Sequence, residues 1–474
     1  MPKEKNVCKE LTFADCELAI LRMAVDKAEE KMGRRIVNSD DIQKIIDIVE
    51  DFIKRKQLIC YGGTAINNIL PEEDRFYNLE TEVPDYDFFS QDALKDAKEL
   101  ADIYYKKGFL DVEAKSGQHH GTYKVFVNYM AVADITQLPK PIYSAINDDG
   151  IIVAGIKYAP PNFLRMSMYL ELSRPAGDIS RWEKVLKRLA LLNKHYPVAN
   201  ISCNEVEFQR EMESKENKDN EEIIYETVKN SLINQGVVFF GGFANVLYSQ
   251  YMPSQLRKKL ENIADFDVLS NDPQQTAEVV KERLTDSGIR RVKIIHQPPI
   301  GEIVPEHYEI KVGSDSILFV YKPVGCHSYN ILMHHGKKIK VATIDTMLSF
   351  YLAFLYANQP YYNQFMDRIL CMSKFLFDVQ QKNRLAQKGL LRRFSITCYG
   401  HQTSIEELKA EKAAKYKELK RTKNKREMEE WFLNYKPDDI HYHKELATKT
   451  RKRKSKGRTK KARSLFGFYT KRRN

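Results

Sequence analysis

The 474-residue sequence predicts an α+β protein made of two tandem units, each a mixed sheet flanked by helices, with helical additions and a basic tail. Three observations predict it. A glycine-pair string is written twice, as Tyr61-Gly62-Gly63-Thr64-Ala65 and as Phe239-Phe240-Gly241-Gly242-Phe243-Ala244. Each is followed by two aspartates one residue apart, Pro84-Asp85-Tyr86-Asp87-Phe88-Phe89-Ser90 and Ala264-Asp265-Phe266-Asp267-Val268-Leu269-Ser270, at offsets of 23 and 24 residues. The order of the following elements also repeats. Ile156-Lys157-Tyr158 with Met166-Ser167-Met168-Tyr169-Leu170 resembles Ile339-Lys340-Val341 with Leu348-Ser349-Phe350-Tyr351-Leu352. Order sustained over about 150 residues means duplication, and it sets the units at roughly 45–197 and 225–380.

In the first unit, Ser39 caps a helix over 40–57, where Ile42, Ile45, Ile46, Val49 and Ile53 recur at helical spacing. Leu58 to Tyr61 reads as a short buried strand ended by the glycine pair, and a helix follows through Leu70. Residues 71–83 read as a loop and 85–90 as a strand. Gln91 to Lys107 is helical, with Ala93, Ala97, Leu100, Ala101 and Tyr104 on one face, and strands follow at about 109–115, 121–128 and 131–136. The second unit repeats this with a helix over 221–234, a strand over 237–240, and a helix opened by Asp272-Pro273-Gln274-Gln275, where Asp caps and Pro takes the first helical position. Strands come near 291–296, 307–312 and 316–321. Each unit ends in a second helix, at about 180–195 and 362–380, and Ser180 with Glu183 forms a capping box for the first. Ser404 with Glu407 opens a long charged helix through about Tyr435, with Trp431, Phe432 and Tyr435 able to dock its end.

These signals divide the chain into an N-terminal helical segment (1–44), a first domain (45–200), a charged linker (201–222), a second domain (223–400), a charged helix (401–448) and a basic tail (449–474). The length suits two or three domains with their own cores. No apolar run approaches the length of a membrane span, and the charged start lacks the apolar core of a secretory signal. Seven scattered cysteines without a CxxC pair fit a reducing intracellular compartment and argue against a disulfide framework and a zinc ribbon. Cys398 and His401 lack the second ligand pair that a metal site needs. The net charge is +12, and thirteen Lys or Arg without an acid lie from Lys449 onward, so the body is near neutral. A run so dense reads as a solvated end that contacts a polyanion or serves as a nuclear targeting signal, nucleic acid being the natural counter-charge.

The chemistry rests on carboxylates. Alternate residues of a strand face the same side, so Asp85 and Asp87 point one way while Tyr86 and Phe88 enter the core. Two carboxylates so placed repel unless a cation sits between them. Magnesium takes one or two carboxylates and completes its shell with water and phosphate oxygens. A two-metal site needs a third acid. Asp134, in the otherwise apolar Ala131-Val132-Ala133-Asp134-Ile135-Thr136, is the best candidate, because a lone buried carboxylate is costly. Gly62, Gly63 and Thr64, at a strand-to-helix turn, allow close backbone approach and present N–H groups to phosphate. Lys157, Arg181, Lys184 and Arg188 are candidates for triphosphate or RNA charge. The pattern reads as metal-dependent nucleotidyl transfer. In the second unit the corresponding strand, Ile317-Leu318-Phe319-Val320-Tyr321-Lys322, has no acid, and Glu309 and Asp315 are out of place, so this unit reads as a non-catalytic scaffold.

Tyr61 to Asn67, Pro84 to Ser90, the Asp96 to Gly108 helix and Val132-Ala133-Asp134 closely resemble the catalytic poly(A) polymerases of large cytoplasmic DNA viruses. Ser173-Arg174-Pro175, Asp178, Ser180-Arg181-Trp182 and Asn193-Lys194-His195-Tyr196-Pro197 continue the likeness, which covers roughly 40–380. The resemblance implies a DNA-polymerase-β-like nucleotidyltransferase that adds AMP from ATP to mRNA 3′ ends. It implies metal-binding Asp85, Asp87 and Asp134, two Mg2+ ions with Mn2+ as the alternative, and a degenerate second transferase-like domain. Some relatives use a processivity subunit and others form homodimers. It places the protein in the host cytoplasm or the virion, with no membrane association. The alternatives are a nucleotidyltransferase with another acceptor and a catalytically inactive RNA-binding subunit.

Overall fold

The computed structural model describes residues 12–37, 39–78, 83–199, 201–206, 208, 212, 214–260, 265–334 and 336–437. The basic tail expected at 449–474 and the first 11 residues of the expected N-terminal segment lie outside them. The chain forms two compact units, one of Met1–Arg55, Leu79–Gln137 and Lys412–Asn474, the other of Lys56–Asn78 and Leu138–Glu411.

In the first unit the Asp40–Lys56 helix is capped as expected: Ser39 Oγ accepts from the Ile42 N–H at 3.3 Å. It buries Ile45, Val49, Phe52 and Ile53. Phe52 meets Phe88 of the Tyr86–Ser90 strand at 6.4 Å between ring centroids, and Tyr86 Oη donates to Glu50 at 2.6 Å. The Ala93–Lys106 helix buries the expected face and adds Asp96. It starts at Ala93 rather than Gln91 because Ser90 Oγ accepts from the Asp92 N–H and donates to Asp96, which closes the turn before the helix.

Strand neighbours in this unit run Asn434–Tyr435, Val112–Ser116, Thr122–Val127, Met130–Gln137, Tyr86–Ser90. Only the last pair is parallel. The charged helix does not reach Tyr435. Ser404 and Glu407 form the expected capping box, but the helix spans Ile405–Thr422 and breaks at Lys423, whose φ is +56°. A short helix, Lys425–Trp431, follows, and the chain then becomes an edge strand. There the buried Tyr435 pairs with Ala114. Trp431 packs on His120 at 4.4 Å.

In the second unit Ile59–Tyr61 runs parallel to Ile156–Tyr158, which also pairs with Ile151–Val153. A further mixed sheet has the order Val292–Gln297, His307–Val312, Asp315–Tyr321, Phe266–Leu269, Val238–Phe239, Lys337–Ala342, His327–His334, Cys398–Tyr399. Its pairings reproduce those of the earlier strands. Phe266–Leu269 is parallel to Asp315–Tyr321 as Tyr86–Ser90 is to Met130–Gln137, and Val238–Phe239 is parallel to Lys337–Ala342 as Ile59–Tyr61 is to Ile156–Tyr158. The corresponding antiparallel pairs each carry one register shift, at Ile310/Lys311 and Val125/Phe126. Even the helix start repeats, with Ser270 accepting from the Asp272 N–H and bonding Thr276.

The Pro161–Leu172 and Ile344–Phe354 helices, the matched pair of the sequence, pack on each other, with Phe163 against Tyr356 at 5.3 Å. Arg165, fully buried, is held by Asn193, Asn162 and the Tyr196 carbonyl, and Arg393 pairs with the buried Asp345 at 2.9 Å.

Three expectations change. The Ser180–Glu183 capping box does not form: a 3-10 turn, Ile179–Arg181, precedes the Trp182–His195 helix, Asp178 caps that turn through the Ser180 N–H, and Glu183 bonds Lys187. The linker holds a short helix, Lys215–Asp219, whose buried Asn217 donates to the Val312 carbonyl at 2.8 Å, because the end of that strand leaves an acceptor to fill. The cysteine reading is also corrected. Cys203 pairs with Cys371 and Cys326 with Cys398, with Cα separations of 5.7 and 5.1 Å, and Cys60 is buried in the core. Sequence separations of 168 and 72 residues hid both pairs from spacing rules. The disulfide also removes Cys398 from metal ligation, and His401 contacts Glu407. No helix among the described residues is long and apolar enough to cross a membrane.

Candidate active site

The candidate residues fall into two sets, one in each unit. In the first, Tyr86 and Phe88 enter the core and leave Asp87 on the other face of its strand. Asp85 lies just before the strand, with most of the residue at the surface and its carboxyl partly withdrawn from water. The parallel register sets Asp87 directly beside Asp134, so side chains from two neighbouring strands share one face. Lys124 is the antiparallel partner of Asp134 on the other side, and its ammonium bonds Asp134 Oδ2. Lys124 was not found by sequence reasoning. Its signal was the alternation of Thr122–Val127, which puts Thr122, Lys124 and Phe126 on the less buried face.

The electrostatics match this crowding. Partial burial, then the charge of Asp134, pushes the Asp85 carboxyl up from its ordinary value, and Lys124 pulls it down. Asp134 Oδ1 is buried without a hydrogen-bond partner. An orphaned carboxylate oxygen is expensive to bury. Among the described residues no three His, Cys, Asp or Glu side chains converge into a ready-made metal cage. The donor set is nevertheless all carboxylate, hard and anionic, with one oxygen unsatisfied and another held by an ammonium, and this suits Mg2+ or Mn2+.

The second copy differs at the matching registers. Asp267 has Phe319 beside it where Asp87 has Asp134, and Phe319 faces Glu309 where Asp134 faces Lys124. Glu309 is buried and bonds Ser316, and Asp315 accepts from Asn217. A ring thus fills the place of the third acid. The Asp267 carbonyl accepts from the Phe240 and Gly241 N–H groups, and its carboxylate lies so close to Gly241 that a Cβ there would meet Oδ2 at 1.8 Å.

The other set surrounds the first glycine pair. Gly62 has φ +72°, a left-handed value that a side chain resists, and Thr64 is buried in the helix that follows. A Cβ on Gly63 would meet Tyr77 Oη at 2.3 Å and Arg188 Nη1 at 2.8 Å. Arg188 donates to Tyr77 Oη at 2.8 Å and lies over the Phe76 ring at 4.7 Å. The segment bearing Tyr77 is pinned by Asn67, whose Oδ1 accepts from the Phe76 and Tyr77 N–H groups, and by Asp74, which holds Lys194 and His195. Asp74 is held below its ordinary value by those two partners.

Glu171 organises the basic side chains. Burial raises its pKa, against the charges of Arg181, Arg188 and Lys184 that lower it, and Arg181 Nε lies 3.1 Å from its carboxylate. The structure thus gathers Arg181, Lys184 and Arg188 but not Lys157. Lys157 pairs with Ile59, two residues before Tyr61, and its ammonium bonds the Asn147 side chain at 2.7 Å. Its counterpart Lys340 bonds the Gly236 carbonyl, so the shared Ile-Lys string serves the sheet. Glu171 and Tyr77 were missed, and no local motif marks them, while Asn67 stood in the Tyr61–Asn67 string without a role of its own.

Residues 47–178 match the family model described as poly(A) polymerase catalytic subunit. The likeness is to poly(A) polymerase catalytic subunits. Similar curated proteins are those so assigned in Acanthamoeba polyphaga mimivirus, 34% identical over 185 residues, and in an African swine fever virus isolate (Tick/Malawi/Lil 20-1/1983), 34% identical over 180 residues. These matches take in 38% and 37% of this chain and only 30% and 38% of the relatives' own length. Among solved structures, the Megavirus polyadenylate synthase superposes with a TM-score of 0.73 over 90% of this chain and 86% of that one, at 21% identity. The fold of the poly(A) polymerase likeness therefore extends well beyond the segment whose sequence matches.

Proposed function

We propose that this chain is a template-independent poly(A) polymerase that adds AMP from ATP to the 3′ end of RNA, with mRNA as the acceptor. The observation that carries the reading is the Asp87–Asp134 register pair with its unsatisfied carboxylate oxygen, inside the segment that matches the catalytic-subunit model. Asp85, Asp87 and Asp134 would hold two divalent ions. Bound there, Mg2+ or Mn2+ would lower the pKa of the attacking RNA hydroxyl and offset the charge of the triphosphate.

The protein's own groups do the rest. Lys124 screens Asp134 and keeps the carboxylates compatible before substrate arrives. The bare Gly63 leaves room for Arg188 and Tyr77, and Arg188 presents a planar fork suited to phosphate oxygens. Glu171 holds Arg181 and orients the basic helix. The second copy, with Phe319 beside Asp267, serves as scaffold. Homodimerisation, a processivity subunit and a role for the basic tail on RNA belong to the same proposal.

The test is direct. The protein, a short RNA primer, labelled ATP and Mg2+ or Mn2+ should give a long adenylate ladder. RNA binding without extension under either metal would sink the reading in favour of an inactive RNA-binding subunit. AMP transfer only to another acceptor would point to a different nucleotidyltransferase.

A further inference from the structure

We infer that Lys124 is a latch on the carboxylate set, an internal cation that holds Asp134 until a divalent ion displaces it. The inference rests on the reading of Asp85, Asp87 and Asp134 as the divalent-ion site, and it adds the exchange that loads that site.

One row of side chains carries it. Lys115, Lys124, Asp134 and Asp87 stand opposite one another across four neighbouring strands. Side chains so registered share one face of a sheet. Lys115 turns back along its own strand to Glu113 and lies over the Phe126 ring at 5.9 Å. Lys124 turns the other way, and its ammonium bonds Asp134 Oδ2. Like charges directly opposite, as Lys115 and Lys124 are, weaken a sheet. Strand pairing therefore does not account for Lys124, whereas the acid beside it does.

The second copy is the internal control. At the register where Asp134 has Lys124, Phe319 has Glu309. The copy without the acid is also without the lysine. The two side chains behave as one unit, and that unit belongs to the site rather than to the sheet.

The latched state accounts for the unfinished geometry of the site. Asp134 Oδ2 is held by the ammonium, and Oδ1 is buried without a hydrogen-bond partner. Among the described residues no three His, Cys, Asp or Glu side chains converge while Asp134 is so held. An ammonium on that carboxylate occupies one oxygen and repels any second cation. Lys124 also has a way out. Its side chain is 39% exposed against 17% for Asp134, and its flexible stem lets the ammonium leave without moving the strand. Asp134 then exchanges one cation for another, and its orphaned oxygen becomes available as a ligand.

The experiment uses the full chain and Mn2+ alone, with no nucleotide or RNA. Free Mn2+ is followed by its electron paramagnetic resonance signal during titration. Lys124 is followed by brief acetylation with acetic anhydride and peptide mass spectrometry. Lys124→Met, which keeps an unbranched side chain and drops the charge, should bind Mn2+ about fivefold tighter, the size expected for a partly exposed ion pair. Lys124→Arg, which keeps the pair, should bind as the unaltered protein does. In the unaltered protein, acetylation of Lys124 should rise when Mn2+ is added. Equal or weaker Mn2+ binding by a folded Lys124→Met protein would overturn the latch and leave the divalent-ion site standing. So would acetylation of Lys124 that Mn2+ does not change. No Mn2+ bound by either protein would overturn the site and the latch together. The acetylation arm needs no variant to fold.

Discussion

At the residue scale, register decides what each acid does. Asp134 stands beside Asp87 and across from Lys124, whereas Phe319 stands beside Asp267. Asp134→Asn removes the charge that helps raise Asp85. The Asp85 carboxyl should then titrate lower, as followed by carbon-13 NMR of labelled aspartates. A second group sets a pH limit on stability. His327 is fully buried, faces the Arg174 charge and packs on Phe350, and burial first, then Arg174, pushes its pKa down to about 3. The unfolded chain takes up that proton near the ordinary value of 6.5 while the native state resists it. The stability that neutral His327 contributes is therefore full above about pH 6.5 and is lost as pH falls toward its native value. Urea unfolding should show this loss, up to about 5 kcal/mol, and His327→Phe should flatten the profile. The three aspartates were legible in the sequence because two lie one residue apart and the third interrupts an apolar strand. Lys124, Tyr77 and Glu171 were not, because each owes its place to a partner on another element.

At the scale of elements, the strands and most helix faces were readable from period and turn residues, while their ends were set by neighbours. The Ala93 start depends on Gln137 Oε1, which accepts from the Ala93 N–H from 44 residues away. The Ser180–Glu183 motif failed because Asp178 reaches the chain first and tightens the preceding turn. The charged segment gave no sign that its end would become an edge strand, because a two-residue strand carries no period. That strand makes a testable contribution. Tyr435 is buried, pairs with Ala114 and bonds Asp102, and Lys98 bonds Glu429 in the preceding helix. Tyr435→Ala should cost about 2–4 kcal/mol by loss of buried contacts, measured by denaturant titration. A cost near zero would mean that this segment does not dock in solution. Arg188→Ala should raise the KM for ATP by about tenfold or more if its guanidinium meets phosphate. A structural role alone would lower Tm and leave KM unchanged.

At the scale of the molecule, matched pairings, matched bulges and matched helix starts show one plan used twice. The repeat was visible in the glycine and aspartate strings, and the loss of the third acid was visible as an apolar strand. What replaced it was not, because Phe319 and Glu309 acquire meaning only when the register sets them against Asp134 and Lys124. The central claim is that one copy works and the other supports it. The decisive measurement is primer extension with labelled ATP and Mg2+ or Mn2+, comparing Asp85→Ala, Asp87→Ala and Asp134→Ala with the double variant Asp265→Ala, Asp267→Ala. The account predicts that each of the first three abolishes the adenylate ladder while the fold, checked by circular dichroism, persists, and that the double variant still extends the primer. Full extension by Asp134→Ala, or complete loss in a folded double variant, would contradict it.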